Sequence, residues 1–314
     1  MDTLNITCPH CFEQGAVDAS FAGRRIRCSR CNTVFLLDKV AEPVPAVIVV
    51  PVKIDPGSPP DMLVNHMDGA EMLHIPAGEF TMGSTAAEID AIIARQSRAK
   101  TAQFEGEQPQ HRVNLDGFYI YKHPVTVAQY RGYCESTGQE FPREASWPWE
   151  DSHPMMNVSW HDASAYAEWA GVSLPTEAQW EKAARGTEGL AYPWGNMWDP
   201  TKCCNGVGKG RIYQTAPVGA HPAGASSYGV QDMAGNVCEW CLDWYFVFYY
   251  QTTPARNPPG PAHALQRVIR GGSWHELEEY TLRCAYRGIS DPTQKVSYIG
   301  FRCATCGPAA ARSA

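Results

Sequence analysis

The sequence contains no apolar run long enough to cross a lipid bilayer. The longest such run, residues 44–52, is interrupted by Pro45 and Pro51, whereas a membrane-spanning helix needs about 20 consecutive apolar residues. The first five residues also lack the basic head and apolar core of a secretion signal. These features lead us to expect a cytoplasmic protein with no membrane partner.

An excess of positive charge is missing as well. The 314 residues carry a net charge of −7, which argues against nucleic acid as the main ligand of the whole chain. The exception is a basic stretch that contains Arg24, Arg25, Arg27 and Arg30. This stretch either contacts nucleic acid or forms the solvated face of a hairpin. Because it is the one basic patch in the sequence, we expect nucleic-acid contact nowhere else.

Cysteine, in contrast, is abundant, and four of the twelve cysteines form two CxxC pairs near the N-terminus. Cys8 and Cys11 are separated from Cys28 and Cys31 by sixteen residues. Four thiolates in this arrangement can form a tetrahedral shell around one zinc ion. A segment of about forty residues buries too little apolar surface to fold alone, so zinc would supply most of its folding free energy. The sequence therefore predicts a zinc ribbon over residues 1–39, and the alternative is four unrelated thiols.

The remaining chain divides by composition. Six prolines mark a linker over residues 40–70, in which residues 47–50 could also dock as an edge strand. Residues 71–306 are dense in glycine, proline and tryptophan and should form one large domain, and residues 307–314 should be a disordered tail. We expect an α+β domain with little regular secondary structure.

Capping residues and glycines set the predicted helices. The helices are predicted from Thr126 to Gly138, from Asp162 to Gly171 and from Thr176 to Gly186. In the last of these, Thr176 and Gln179 form a capping box. Strands are predicted at residues 118–121 and 267–270.

A series of motifs then runs through the large domain in a characteristic order. It includes Ile75-Pro76-Ala77-Gly78, Leu174-Pro175-Thr176-Glu177, Asp232-Met233-Ala234-Gly235-Asn236, Arg270-Gly271-Gly272-Ser273-Trp274 and Gly300-Phe301-Arg302. This order resembles the formylglycine-generating enzyme, or sulfatase-modifying factor, family. The resemblance covers residues 71–304 and implies a variant of the C-type lectin fold.

The family's enzymes oxidise a sulfatase cysteine to formylglycine with copper and molecular oxygen. The resemblance implies that two cysteines after the Gly-Gly-Ser-aromatic motif would hold the soft Cu(I) ion. Here the interval from His275 to Leu282 contains no cysteine. We therefore expect no copper site and name no catalytic residue. Two downstream cysteines, Cys284 and Cys303, match structural positions of the family and are expected to be reduced thiols.

The resemblance also implies a calcium site within one loop. The matching ligands are Asp232, Met233, Gly235, Val237 and Glu239. Carboxylate and carbonyl oxygens suit this hard cation, and the alternative is a calcium-free loop held by hydrogen bonds. A second zinc site stays open for the cysteines that crowd the same region, namely Cys203, Cys204, Cys238, Cys241, Cys303 and Cys306.

Two functions are compatible with these observations. The first is a non-oxidase module that binds a protein or peptide through the 274–299 surface, as the resemblance to retroelement-diversified variable proteins implies. Its expected ligand-binding residues are Ser273, Trp274, His275, Glu276, Arg283, Arg287 and Arg302, with the arginines contacting a polar or acidic ligand. The second is an oxidoreductase that converts a sulfatase cysteine to formylglycine, or performs a related oxidation on the same scaffold.

Overall fold

The computed structural model describes residues 61–207 and 214–306 in full, together with the backbone of four strands nearer the N-terminus. The chain forms two compact units, residues 1–55 and 56–314. In the first unit, β1 (Thr3–Thr7) pairs with β2 (Gln14–Asp18), and β3 (Arg25–Arg27) pairs with β4 (Val34–Leu36), both antiparallel. The linker segment 47–50 and the tail 307–314 lie outside the described residues.

The four predicted zinc ligands also lie outside the described residues. In the sequence, Cys8 and Cys11 fall between β1 and β2, and Cys28 and Cys31 fall between β3 and β4. In the sequence, each CxxC pair thus lies between two strands that pair with each other.

The second unit combines ten strands with four helices within its described residues. Its strands are β5 (Met62–Val64), β6 (Glu71–Ile75), β7 (Gly78–Met82), β8 (His111–Leu115), β9 (Phe118–Tyr121), β10 (Cys238–Trp244), β11 (Arg267–Arg270), β12 (Gly288–Ser290), β13 (Ile299–Gly300) and β14 (Ala304–Thr305). Its helices are α1 (Ala86–Arg95), α2 (Val127–Thr137), α3 (Trp160–Trp169) and α4 (Glu177–Arg185). Strand β5 pairs with β6, so this unit takes in residues that the proline pattern assigned to the linker.

Two four-stranded sheets organise the unit. One has the order β12-β11-β10-β13 and the other the order β14-β9-β6-β5, while β7 and β8 form a separate hairpin. Strand β10 pairs antiparallel with β11 and parallel with β13. This arrangement brings the loop between β11 and β12 close to the loop that precedes β10.

Most of the predicted elements are confirmed. Helix α2 begins after the Thr126 cap and ends at Gly138 in the left-handed conformation. Helix α4 begins after Thr176, whose capping box with Gln179 is formed, and β9 and β11 have the predicted bounds. The mixture of helix and sheet therefore agrees with the predicted α+β class.

Two helical predictions differ from the structure. Helix α3 is capped by Ser159. Asp162 is the third residue of the helix, and it completes the capping box instead of being the cap itself. Helix α1 was not predicted, although Thr85 and Glu88 form a capping box at its start. The capping box explains the first difference, because it offers two polar residues three positions apart and only the first of them is the cap.

The core is shared between the sheets and α4. Eight of the nine residues of α4 are buried, including Glu177, Glu181, Lys182 and Arg185. A helix with buried charges on several faces must be surrounded by matching groups. No helix in the described part of the chain is both long and apolar enough to cross a membrane.

Candidate functional site

The loop that follows β11 leaves the sheet through two glycines in the left-handed region. Gly271 has φ 92° and Gly272 has φ 65°, a backbone conformation that residues other than glycine rarely adopt. A Cβ atom on Gly272 would lie 2.7 Å from Leu282 and 3.1 Å from the carbonyl oxygen of Thr281. The Gly-Gly-Ser-Trp motif therefore folds the loop tightly against a short 3₁₀ turn, Glu279–Leu282.

Two hydrogen bonds of Trp274 anchor the start of this loop. Its backbone N–H donates to the carbonyl oxygen of Asn236 at 2.9 Å, and its indole N–H donates to the carbonyl oxygen of Ser297 at 3.0 Å. His275 is exposed, and the centroid of its ring lies 5.2 Å from that of Trp274 and 4.7 Å from that of Tyr298. The structure thus brings half-buried Trp274 and exposed His275 together at the start of the 274–299 segment.

A cavity of about 350 Å³ lies beside this loop. Its floor includes Cys238 of β10 and Ile269 of β11, which point to the same face of the sheet. Its polar and aromatic walls include Gln103, Cys238, Tyr245, Glu276, Tyr286 and Tyr298. Of these residues the sequence predicted only Glu276 as a ligand contact. The sequence held no local signal for the others, because folding brings them together from separate segments of the chain.

The charge of Glu276 is directed into the cavity. Burial raises the pKa of the Cys238 thiol well above its ordinary value, and Glu276 raises it further. Burial also raises the pKa of Tyr286 to about 12, and Glu276 again adds to the effect. Cys238 is therefore a neutral thiol near neutral pH, and Glu276 supplies negative charge to the cavity walls.

The three arginines predicted to contact ligand are buried and ion-paired. Arg283 pairs with Glu107 at 2.8 Å, Arg287 with Glu177 at 2.7 Å and Arg302 with Glu239 at 2.7 Å. Arg302 and Ser273 have no exposed surface. Because each guanidinium group is already matched by a buried carboxylate, we assign these arginines to support of the loop, instead of the ligand contacts that the motif led us to expect.

The predicted calcium loop is buried and holds its two acidic residues near each other. Asp232 accepts a hydrogen bond from the backbone N–H of Gly219 at 2.7 Å, and burial raises the pKa of its carboxyl group. Both oxygens of Glu239 accept hydrogen bonds from Arg302, and Trp180 donates to one of them. The fit to calcium is partial, because Asp232 suits a hard cation whereas Arg302 already neutralises Glu239.

The cysteines that could have formed a second zinc site are not gathered in the described residues. Within residues 61–207 and 214–306 no group of three or more His, Cys, Asp or Glu side chains is placed to hold a metal ion. Cys238 and Cys241 both lie on β10, and residues three apart on a strand point to opposite faces. Cys238 accordingly packs in one core cluster and Cys241 in the other.

Comparisons with known proteins find the family that the order of the motifs resembles. The model of the sulfatase-modifying factor enzyme 1-like domain matches residues 61–306. The formylglycine-generating enzyme of Mus musculus is 32% identical, and the match covers 74% of each chain. A solved structure of PvdO from Pseudomonas aeruginosa superposes with a TM-score of 0.65 at 26% identity, covering 79% of this chain and 98% of that one.

A further relative has a different name. The serine/threonine-protein kinase pkn1 of Chlamydia pneumoniae is 35% identical over 84% of this chain. The match covers 41% of that relative, so the chain spans about two fifths of its length. The extent of the family match, together with the similarity to the mouse enzyme, shows that the chain belongs to the formylglycine-generating enzyme (sulfatase-modifying factor) family.

Proposed function

We propose that the 61–306 domain is a non-oxidase module that binds a protein or peptide ligand through the 274–299 surface and the cavity beside it. The observation that carries this proposal is the interval between Trp274 and Arg283, which contains no cysteine. The family's oxidation chemistry requires two thiolates in that interval to hold Cu(I). Their absence leaves the loop and its cavity without the family's copper ligands.

Two cysteines elsewhere in the domain, Cys238 and Cys284, do not replace the missing copper ligands. Burial raises the pKa of Cys284 to about 12 and that of Cys238 well above its ordinary value. Cu(I) is held by thiolates, so each raised pKa adds to the cost of deprotonating these thiols for the metal. The two residues also pack in different core clusters, so they do not form a replacement pair.

The exposed side chains of the loop support a binding role. His275 is exposed, Leu277 is 52% exposed and Trp274 is half-buried beside them. Half-buried tryptophan with neighbouring exposed apolar groups is typical of the residues that dominate protein interfaces. Trp274 is therefore the anchor that we expect a ligand to contact.

Two assays on the full chain test the proposal. In the first, a Cys-x-Pro-x-Arg peptide is incubated with copper, reductant and oxygen, with the mouse formylglycine-generating enzyme as positive control. Mass spectrometry should find an unchanged thiol with this chain. Conversion of the cysteine to an aldehyde would overturn the non-oxidase proposal and favour the oxidoreductase.

In the second assay, a randomised displayed peptide library is selected on the full chain. Selected peptides should bind at least about tenfold more weakly to Trp274→Ala, since a buried aromatic anchor contributes about 2 kcal/mol or more. Leu265→Ala is the control, because Leu265 is 89% exposed and lies outside the segment. Failure to enrich any peptide, or equal binding to both variants, would contradict the proposed surface.

We also propose that calcium binds the loop that contains Asp232 and Glu239. The support is the grouping of two carboxylates and buried backbone in one loop. A hundredfold excess over the dissociation constant would then stabilise the domain by roughly 3 kcal/mol. Thermal unfolding should shift upward with millimolar calcium for the wild type and not for Asp232→Ala. The same melting temperature in chelator and in calcium would exclude the site.

A further inference from the structure

The cavity beside Glu276 contains a negative charge that no cation in the described residues neutralises. Glu276 accepts a hydrogen bond from the Thr281 hydroxyl at 3.0 Å. The described ion pairs include Arg98 with Glu278, Arg283 with Glu107 and Arg287 with Glu177, and none includes Glu276. A partly buried carboxylate without a cation is costly in the free protein and is favourable for a bound cation.

Arg287 also lines the cavity, but its charge is already matched. Its Nε and Nη2 atoms donate to the two oxygens of Glu177 at 2.7 and 2.8 Å. The same carboxylate also pairs with buried Arg270 at 3.1 Å, so Arg287 is held inside a buried network, and Glu276 is the acidic side chain among the residues that line the cavity. Moving Arg287 towards Glu276 would break both of its bonds to buried Glu177, which would then keep only its 3.1 Å contact with Arg270.

Aromatic rings surround the same space. Tyr286 and Tyr298 line the cavity together with Glu276, and so does Tyr245, whose ring already lies 4.7 Å from the guanidinium carbon of Arg287. Burial and the Glu276 charge both raise the pKa of Tyr286 and of Tyr298, which keeps the phenols neutral and places both rings near the carboxylate. Neutral tyrosine rings attract cations through their π faces, and this attraction strengthens where water is excluded.

We propose that this cavity binds the cationic group of a ligand, an alkylammonium or guanidinium such as a lysine or arginine side chain carries. The proposal rests on the proposed binding function and specifies its ligand. A volume of about 350 Å³ admits one side chain and excludes a whole folded element. The arginines of the motif led us to expect an acidic ligand, whereas the ligand proposed here is a cation. The difference arises because Arg283, Arg287 and Arg302 are all paired.

The experiment measures binding of three small probes to the full chain by calorimetry. The probes are the acetylated amides of lysine, of arginine and of norleucine, the last being an uncharged analogue of lysine. At least one cationic probe should bind about tenfold or more tightly than the norleucine probe, and Glu276→Gln should abolish this preference. Comparing lysine with arginine identifies which cation the cavity prefers.

Two further variants make the result decisive. Glu278→Gln makes the same change of charge at a residue that pairs with exposed Arg98, and it should keep the preference. Tyr298→Leu should weaken it by removing a ring from the wall without changing any charge. Equal binding of charged and uncharged probes, no binding of any probe, or a preference that survives Glu276→Gln would each overturn the proposal.

The outcomes also separate this proposal from the function on which it rests. Peptides selected through Trp274 that contain no lysine or arginine would contradict the cation site and leave the binding function standing. Failure of both the library and the probes would contradict the binding function itself.

Discussion

At the scale of single residues, a buried carboxyl group makes the clearest prediction about pH. Burial, together with the charge of Glu177, raises the pKa of Asp243 to about 7. A raised pKa means that the folded state favours the protonated form. The stability that this group contributes is therefore present below about pH 4 and is lost as the pH rises through about 7.

Asp243→Asn should remove this loss, because an amide does not ionise and its oxygen can still accept the N–H of Glu177. Relative to wild type, the variant should gain melting temperature from pH 5 to about pH 7 and level off above it. The control is Asp291→Asn at an exposed site, where bonds from Thr293 lower the pKa, so its difference from wild type should stay flat over the same range. A flat difference for Asp243→Asn would contradict the assignment.

The site residues show what the sequence could predict at this scale and what it could not. The motif pointed to Trp274 and His275, and the structure has half-buried Trp274 beside exposed His275 after the tight turn of its two glycines. It could not reveal that Arg287 is matched by Glu177, which lies 110 residues away. Whether an arginine is free to contact a ligand depends on partners that only folding brings together. The sequence therefore led us to expect ligand contacts from arginines that are ion-paired inside the fold.

At the scale of elements, the cap of α4 should have a measurable cost when removed. The Thr176 hydroxyl accepts a hydrogen bond from the backbone N–H of Gln179, and the Gln179 side-chain oxygen accepts one from the backbone N–H of Thr176. Thr176→Ala should lower the free energy of unfolding by about 1 kcal/mol, and Thr176→Ser should retain most of it. Urea denaturation of the three proteins provides the measurement. Equal midpoints for the alanine and serine variants would show that the cap contributes nothing.

The helices were predictable because their signals are local, whereas the sheets were not. A threonine cap and a terminal glycine lie within about a dozen residues of each other, as in α2. The pairing of β10 with β13 joins residues about 60 positions apart and is parallel, and no short pattern encodes such a register. Sequence therefore predicted β9 and β11 as strands without their neighbours.

At the scale of the whole molecule, the N-terminal unit should contain one zinc ion. We propose that Cys8, Cys11, Cys28 and Cys31 bind it, since each CxxC pair falls between the two strands of a hairpin. Metal analysis of the reduced full chain should give one equivalent of zinc. Cys28→Ser should lose this zinc, because three thiolates hold it more weakly than four.

The matched control for that measurement is Cys306→Ser, which changes an exposed thiol outside the two pairs and should retain the zinc. A stoichiometry near zero in the wild type would rule out the ribbon. Loss of zinc in both variants would instead indicate a site that includes the C-terminal cysteine.

The anchoring of the 274–299 loop has a consequence for how the protein can change. Trp274 fixes one end through Asn236 and Ser297, while the paired arginines hold the backbone beyond it. The residues between these anchors, 275–278, contribute little to the core. Substitutions there can alter what the loop recognises at small expense in folding free energy, so the domain is suited to laboratory randomisation as a scaffold for new binding proteins.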